Sequence, residues 1–387
     1  MTAGSLPFSP GLDGVVAART AISHVDGQRG QLVIRGFALE DIAPRATFEE
    51  MVFLLWNDAL PDETTRDRFQ ADLAGRREVE RHTLELLKTA AARAVHPMDA
   101  LRMACGSLMP AAASRSREAV GLAAARRDAF RLVAVFPTLV AAYHRLLQGL
   151  EPVAPRTDLS HAANFLYMLR GHDAPGTFVR ALDTYWNTVA DHGLNASTFT
   201  ARVIVSTESD VVSAVTGAVG ALKGPLHGGA PGPALDLVFE IGTADRAETV
   251  LRQKLDRGER LMGFGHRVYR TRDPRADVLG AAAARLFERQ GDRQLYELAR
   301  AVETCALSLL REQKPTRALQ TNVEFYTALV LYGLEFPTTL FTPAFAAARV
   351  AGWTGHCLEQ IAANRLFRPQ SEYVGAHDRK WRPAAAP

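Results

Sequence analysis

The stretch FRLVAVFPTLVAAYH, residues 130–144, is apolar on nearly every side of the helix that it predicts. A helix without a polar face is usually buried, either in the core of a large helical protein or in a subunit interface. The helical pattern continues over residues 117–147, and Pro137 marks a position where such a helix can kink. This stretch therefore predicts an all-α fold organised around one long buried helix.

The rest of the chain also predicts helices, because capping residues and prolines mark a series of helix starts. One segment, residues 31–39 (QLVIRGFAL), instead predicts a β-strand. Alternating strand–helix units and a GxxxxGK[ST] loop are absent from the sequence, which argues against a Rossmann fold, a TIM barrel and a P-loop. The predicted helix starts are Thr47, Glu63, Arg81, Pro97, Ser160, Gly176 and Asn195, and further helices are predicted over 233–241, 274–290, 294–312 and 343–365.

The composition is that of a globular protein, with 47% hydrophobic and 22% charged residues in a chain of 387. A net charge of +3 is too small to predict nucleic-acid binding. The cysteines at 105, 305 and 357 are too widely spaced for a disulfide framework or a zinc ribbon, which favours a cytoplasmic location. No signal peptide and no apolar stretch of about 18 residues is evident, so we expect no membrane span.

Four segments stand out: three combine histidine, arginine or an acidic residue with glycine or proline, and the fourth carries an acidic residue in an apolar stretch. Such segments favour ligand sites, because glycine lets the backbone approach a ligand closely. They are DHGLNASTFTARV (residues 191–203), GPLHGGAPG (224–232), LMGFGHRVYRTRDPR (261–275) and TNVEFYTALV (321–330), and Arg349 and Arg368 follow them.

Two histidines, His227 and His266, have glycine-rich surroundings. A predicted helix begins just after His227, and a helix N-terminus disfavours imidazolium, so we expect a neutral ring that can donate a hydrogen bond to a developing enolate. The alternative is a histidine whose hydrogen bonds are satisfied by the backbone of a turn. The loop after His266 is either a solvated basic loop or an anion site. Its arginines are Arg267, Arg270, Arg272 and Arg275.

Glu324 lies in the mostly apolar segment NVEFY. A buried carboxyl group has a raised pKa and can act as a base near neutral pH, whereas a glutamate on an exposed helix face is the commoner case. His192 follows Asp191, and it is either a ligand-binding histidine or part of a capping pair.

In their order and spacing, these segments resemble the citrate synthase family in its bacterial type, over nearly the whole chain. The resemblance implies an all-helical homodimer. Its large domain would comprise residues 1–222 and 323–387, and a small mobile domain on the acyl-CoA side would comprise residues 223–322. It also implies the condensation of acetyl-CoA with oxaloacetate, without a metal or a permanently bound cofactor. Further matching segments are GLDGVVAARTAISHVDG, ATFEEMVFLLW and HPMDALR near the start, and FTPAFAAARVAGWTGHCLEQ and RLFRPQSEYVG near the end.

The resemblance also implies roles for individual residues. His227 matches the histidine that polarises the thioester carbonyl, and His266 matches the one that holds and polarises the oxo group. Glu324 stands where the family usually has the aspartate that removes the methyl proton. Since glutamate is one methylene longer, either the backbone has retreated to compensate or catalysis is impaired, and we favour compensation. His192, Arg275 and Arg349 match binders of the oxo acid, and Arg368 matches an arginine contributed by the partner subunit.

Two alternatives to a citrate synthase stay open. A 2-methylcitrate synthase would use propionyl-CoA with the same residues, and one methylene in the acyl pocket discriminates by only about 1–3 kcal/mol. A non-catalytic paralogue would bind acyl-CoA or a dicarboxylate, with Glu324 as a lesion. The retention of every other matched histidine and arginine argues against that paralogue.

Overall fold

The computed structural model describes residues 8–109, 121–228, 231–266, 268–290, 293–314 and 319–381. Helices dominate these residues, and the strands within them form one small sheet, which confirms the prediction of an all-α fold. The helices are α1 (Leu39–Ile42), α2 (Phe48–Asn57), α3 (Glu63–Ala74), α4 (Arg81–Ala92), α5 (Pro97–Ser107), α6 (Leu122–Leu147), α7 (His161–Arg170), α8 (Gly176–Val189), α9 (Ala196–Ser206), α10 (Val211–Leu222), α11 (Pro231–Ile241), α12 (Ala247–Asp256), α13 (Pro274–Gln290), α14 (Arg293–Gln313), α15 (Val323–Gly333) and α16 (Phe341–Ala362).

The helix predicted to be buried is α6, and every residue from Leu132 to Tyr143 within it is buried. It packs against α4, α5, α7 and α16 of the same chain. Burial in the core of this chain therefore explains why its sides are apolar, and the apolar sides are not evidence for a subunit interface. By length and composition α6 could also cross a membrane, but 67% of its apolar stretch is buried inside the protein, as in a core helix. The predicted start, residues 117–120, lies outside the described residues.

The predicted helix starts are confirmed, and the structure shows why they form. Thr47 caps α2 with a complete capping box: its hydroxyl accepts the Glu50 N–H, and the Glu50 carboxylate accepts the Thr47 N–H. Ser160 and Asn195 cap α7 and α9 in the same side-chain-to-backbone manner. The last helix, α16, ends at Ala362, earlier than predicted.

The predicted strand over residues 31–39 is only partly correct. It is divided into β2 (Gln31–Ile34) and β3 (Phe37–Ala38), because Arg35 and Gly36 turn the chain with φ angles of +47° and +86°. A further strand, β1 (Ser23–Asp26), escaped prediction because it is short and largely polar. The three strands form an antiparallel sheet in the order β1–β2–β3.

Five helices of the core lie around the segments that carry the candidate site. Helices α13 and α15 pack against each other, and both contact α8, while α16 contacts α8 and α9. The four sequence segments therefore lie at the ends of helices that already touch. This arrangement brings residues that are more than a hundred positions apart in the sequence into one region.

Candidate active site

Two loops that are distant in sequence, residues 263–266 and 319–322, run side by side and position His266 and Glu324. A backbone N–H of the first loop donates to a carbonyl of the second at 2.7 Å, and an N–H of the second donates back at 3.0 Å. An isolated β-bridge joins the same two loops. The segment that ends at His266 is therefore fixed to the segment that leads into α15, where Glu324 lies.

The two glycines of the GFGH motif make this contact possible. Gly263 and Gly265 have φ angles of +90° and +87°, which side chains rarely allow. A Cβ on Gly263 would lie 2.9 Å from the Phe325 ring, and one on Gly265 would lie 3.0 Å from the Leu319 side chain. The lack of a side chain at these two positions therefore allows the loop to pack closely against Phe325 and Leu319.

His266 has a defined hydrogen-bonding state. Its Nδ1 accepts the backbone N–H groups of Val268 and Tyr269, at 3.0 and 3.1 Å. Burial and the nearby Arg275 charge lower the pKa of His266 to about 4, so the ring is neutral at pH 7. Because Nδ1 is an acceptor, the single ring proton resides on Nε2. The His266 Nε2 and the nearby Arg275 Nη2 are then two donors that face each other without a hydrogen bond between them, and both can donate to a ligand.

Arg275 is buried beside His266, with Nη2 3.2 Å from the His266 Nε2. Asp273 binds its guanidinium through both carboxylate oxygens, at 3.0 and 2.8 Å, and also accepts the Val323 N–H at 3.2 Å. Although burial lowers the pKa of Arg275, the Asp273 charge raises it above its ordinary value overall. The sequence-based interpretation missed this role of Asp273, although the spacing DPR placed the carboxylate two residues from the arginine.

The sequence left open whether this loop is a solvated basic loop or an anion site, and the structure gives its arginines different surroundings. Arg270 is exposed, as in a solvated basic loop. Arg272 pairs with the buried Glu303 at 2.9 Å, so it holds the loop in place. Arg275 is thus the one described arginine of this loop that lies in the candidate site, and Arg267 lies outside the described residues.

Arg349 enters the same region from α16 and is buried. Its Nε donates to the Val189 carbonyl at 2.6 Å, and its Cζ lies 4.7 Å from the centre of the Phe345 ring. Burial lowers the pKa of Arg349 to about 10, which leaves it charged at pH 7. Its charge is close enough to affect both Glu324 and Arg275.

Glu324 occupies the first turn of α15, where the Asn322 side chain caps its backbone N–H at 3.0 Å. Burial raises the pKa of the Glu324 carboxyl to about 7, despite the opposing effects of Arg275 and Arg349. A carboxyl group with this pKa can accept and release a proton near neutral pH. The sequence-based expectation of a base at this position thus agrees with its surroundings.

His227 is held through its Nε2, which lies 2.8 Å from the Ser197 hydroxyl. Ser197 in turn accepts the Trp353 indole N–H at 3.0 Å and donates its hydroxyl proton to the Asn195 amide oxygen at 2.8 Å. Burial and the Arg349 charge lower the pKa of His227 to about 4, so its ring is neutral, as the sequence predicted. The arrangement leaves Nδ1 for a ligand.

His192 lies against His266, with the two ring centres 5.7 Å apart, and its Nε2 is 3.1 Å from the Tyr269 hydroxyl. Burial and the charge of Arg275 hold the pKa of His192 well below its ordinary value. The preceding Asp191 is not a helix cap, because it is buried with one oxygen 3.1 Å from the Nε2 of His356.

One face of α16 supplies Arg349 together with three residues that the sequence interpretation missed. Phe345, Arg349, Trp353 and His356 follow one another at spacings of four, four and three residues, which places them on one side of a helix. They contact His227, Val189, Ser197 and Asp191, in that order. That period could have been read from the sequence once Arg349 was selected.

Arg368 is not brought to the other candidate residues within this chain. It is exposed, and its Nη1 donates to the Pro369 carbonyl at 2.8 Å. Within the described ranges, no group of three or more His, Cys, Asp or Glu side chains is arranged to hold a metal ion. The candidate residues that the structure brings into one region are therefore His192, His227, His266, Arg275, Glu324 and Arg349.

The chain is similar to known proteins in both its sequence and its structure. Residues 11–370 match the family model described as "Citrate synthase, C-terminal domain". The chain is 41% identical to a citrate synthase of Haloferax volcanii over 96% of this chain and 97% of that protein. It is 40% identical to a 2-methylcitrate synthase of Mycobacterium tuberculosis over 98% and 94% of the two chains. It also superposes, with a TM-score of 0.85 and 28% identity over 98% and 99% of the chains, on a ternary complex of Thermoplasma acidophilum citrate synthase with carboxymethyl coenzyme A and oxaloacetate.

Proposed function

The chain belongs to the citrate synthase family, a family of acyltransferases, and we propose that its site condenses acetyl-CoA with oxaloacetate to give citrate and free CoA. The observation that carries this proposal is the Glu324 carboxyl group. Its pKa is raised to about 7, and the charges of Arg275 and Arg349 are both close enough to act on it, so a base lies near an anion site. A proton can therefore be removed next to a bound dianion.

The oxo acid is bound by the side of the site that holds the arginines. Oxaloacetate carries two carboxylates, which the guanidinium groups of Arg275 and Arg349 neutralise. The Nε2–H of His266 donates to the oxo oxygen, and His192 borders the same space. These contacts orient the oxo carbon towards the nucleophile before any bond is made.

The acyl thioester is activated by Glu324 and His227 together. Glu324 removes a methyl proton while His227 donates a hydrogen bond from Nδ1 to the thioester carbonyl. This step requires the Ser197 hydroxyl proton to turn from the Asn195 amide oxygen to the His227 Nε2. The methyl carbon then bonds to the oxo carbon of oxaloacetate, and the hydrogen bond from the neutral His266 stabilises the alkoxide that forms on the oxo oxygen. The alkoxide takes up the proton that Glu324 removed from the methyl group, which returns Glu324 to its carboxylate form. Water finally cleaves the thioester, releasing CoA and the third carboxylate of citrate.

The assembly and location follow the family resemblance. We infer a cytoplasmic homodimer in which Arg368 completes the site of the partner subunit, because in its own chain it is exposed and apart from the other candidate residues. We also retain the division into a large domain, residues 1–222 and 323–387, and a small mobile domain, residues 223–322. Those boundaries coincide with the end of α10 and the start of α15.

The test is a thiol-release assay with oxaloacetate and either acetyl-CoA or propionyl-CoA. We expect CoA release that depends on oxaloacetate, with a higher kcat/KM for acetyl-CoA. The propionyl-CoA arm is needed because a relative of similar identity is named a 2-methylcitrate synthase. A higher kcat/KM for propionyl-CoA would establish the alternative, and no release with either thioester would exclude both enzymes.

A further inference from the structure

Tyr269 lies at the centre of the oxo-acid side of the site, although neither its residue type nor its position marked it in the sequence. It is 2% exposed, and its ring centre is 4.9 Å from that of His266 and 5.6 Å from that of His192. The guanidinium carbon of Arg275 lies 5.7 Å from the same ring centre. One aromatic ring therefore packs against three side chains that the proposed function assigns to oxaloacetate.

Two hydrogen bonds connect Tyr269 to the histidines. Its hydroxyl lies 3.1 Å from the Nε2 of His192, and its backbone N–H donates to the Nδ1 of His266 at 3.1 Å. Burial raises the pKa of the Tyr269 phenol, so the hydroxyl keeps its proton, and the ring of His192 is neutral. Among the described contacts, the hydroxyl is the hydrogen-bonding partner of the His192 Nε2.

This geometry differs from simple packing. A phenylalanine would fill the same volume and would keep both the ring contacts and the backbone N–H. The hydroxyl adds a hydrogen bond to the His192 Nε2, which fixes the direction of that nitrogen. Without this partner the His192 ring would be held by ring packing and a backbone hydrogen bond alone, and it would sample more orientations from which binding has to select one.

We propose that Tyr269 is a positioning residue for the oxo acid: through its hydroxyl it holds His192, and through its backbone N–H it holds His266, in the orientations that oxaloacetate requires. The proposal rests on the proposed function, because it concerns the same substrate. It concerns only the oxo-acid side, since the described contacts of His227 do not include Tyr269. Loss of the hydroxyl should therefore weaken oxaloacetate binding and leave the KM for acyl-CoA unchanged.

The experiment compares the wild-type protein with Tyr269→Phe, which removes only the hydroxyl. We expect the Kd and KM for oxaloacetate to rise about fivefold to tenfold, the effect of losing one hydrogen bond, while kcat changes less than threefold. The Kd is measured by calorimetry without acyl-CoA, at a temperature where thermal unfolding shows both proteins to be folded. The matched control is Tyr332→Phe on α15, whose tyrosine is 41% exposed, and it should behave like the wild type.

The outcomes separate the two proposals. If the wild type releases CoA but Tyr269→Phe binds oxaloacetate within twofold of it, the positioning role is wrong and the proposed function stands. A fall in kcat together with a similar rise in the KM values for both substrates would indicate a general structural defect. That result would also overturn the positioning role. If the wild type neither binds oxaloacetate nor releases CoA, the proposed function fails and this inference fails with it.

Discussion

Asp273 binds Arg275 through both carboxylate oxygens, with Oδ1 3.0 Å from Nε and Oδ2 2.8 Å from Nη2. The same Oδ2 accepts the backbone N–H of Val323, which immediately precedes Glu324. Asp273 and Arg275 are both buried, and water therefore screens their interaction weakly. A single carboxylate thus fixes an arginine of the oxo-acid side relative to the helix that carries the proposed base.

We expect Asp273→Asn to lower the free energy of unfolding by about 3 kcal/mol, because it leaves the Arg275 charge buried without its partner. Chemical denaturation measures this loss, and the KM for oxaloacetate should rise at the same time. Asp277→Asn is the control, because Asp277 is 60% exposed and its ion pair with Arg272 should contribute little. Equal stability of the Asp273 and Asp277 variants would contradict this role of Asp273.

The turn between β1 and β2 touches the loop that carries His266, and this contact is sensitive to one methyl group. A Cβ on Gly27 would lie 2.2 Å from the Val268 carbonyl oxygen, and the Gly27 carbonyl accepts the Arg270 N–H at 2.7 Å. Gly27→Ala must therefore push the loop away from its position. We expect kcat/KM for oxaloacetate to fall about tenfold or more, since displacements near 1 Å have large effects on catalysis.

Gly176→Ala provides the comparison for Gly27→Ala, because a Cβ on Gly176 would meet nothing within 4 Å. Steady-state kinetics of this variant should match the wild type. If Gly27→Ala is also fully active, the turn and the loop do not need to touch, and the contact has no part in positioning His266.

The proposed role of Arg368 across subunits predicts complementation. Arg368→Ala should keep the wild-type Tm, because the side chain is exposed, yet lose most oxaloacetate-dependent turnover. A mixture with Glu324→Gln, unfolded and refolded together, should regain activity. In a hybrid dimer, one site then combines an intact Glu324 with an intact Arg368 of the partner subunit. A fully active monomer in sedimentation, or no gain on mixing, would place Arg368 outside the partner's site.

The sequence predicted the helices well, because helix starts depend on local signals, and local signals also selected the candidate side chains of the site. Thr47 and Asn195 are capping residues that indicate a helix start, and the glycines next to His227 and His266 indicate a ligand site. The supporting residues could not be found in this way. Asp273, Tyr269 and Trp353 matter because of partners that the fold brings to them, and no local pattern encodes those partners.

The raised pKa of Glu324 makes stability depend on pH with a defined sign. The folded carboxyl keeps its proton up to about pH 7, whereas an ordinary glutamate loses it near 4.5. The folded state therefore binds more protons in this window, and the contribution of Glu324 to stability decreases as the pH rises through it. Glu324→Gln cannot ionise, so the Tm of this variant should rise relative to that of the wild type between about pH 4.5 and pH 7. A Tm difference that is constant with pH would argue against a raised pKa.

The same residue decides whether the proposed base is functional. We expect Glu324→Gln to lose most turnover while still binding oxaloacetate, because an amide cannot accept the methyl proton and the arginines are intact. Glu324→Asp distinguishes a compensated site from an impaired one. If the backbone has adapted to the longer side chain, aspartate falls short of the methyl group and kcat drops about tenfold to a hundredfold. An increase in kcat would instead identify Glu324 as a lesion. A near-normal rate for Glu324→Gln would remove Glu324 from the mechanism, and calorimetry with oxaloacetate would show whether the binding site had survived each change.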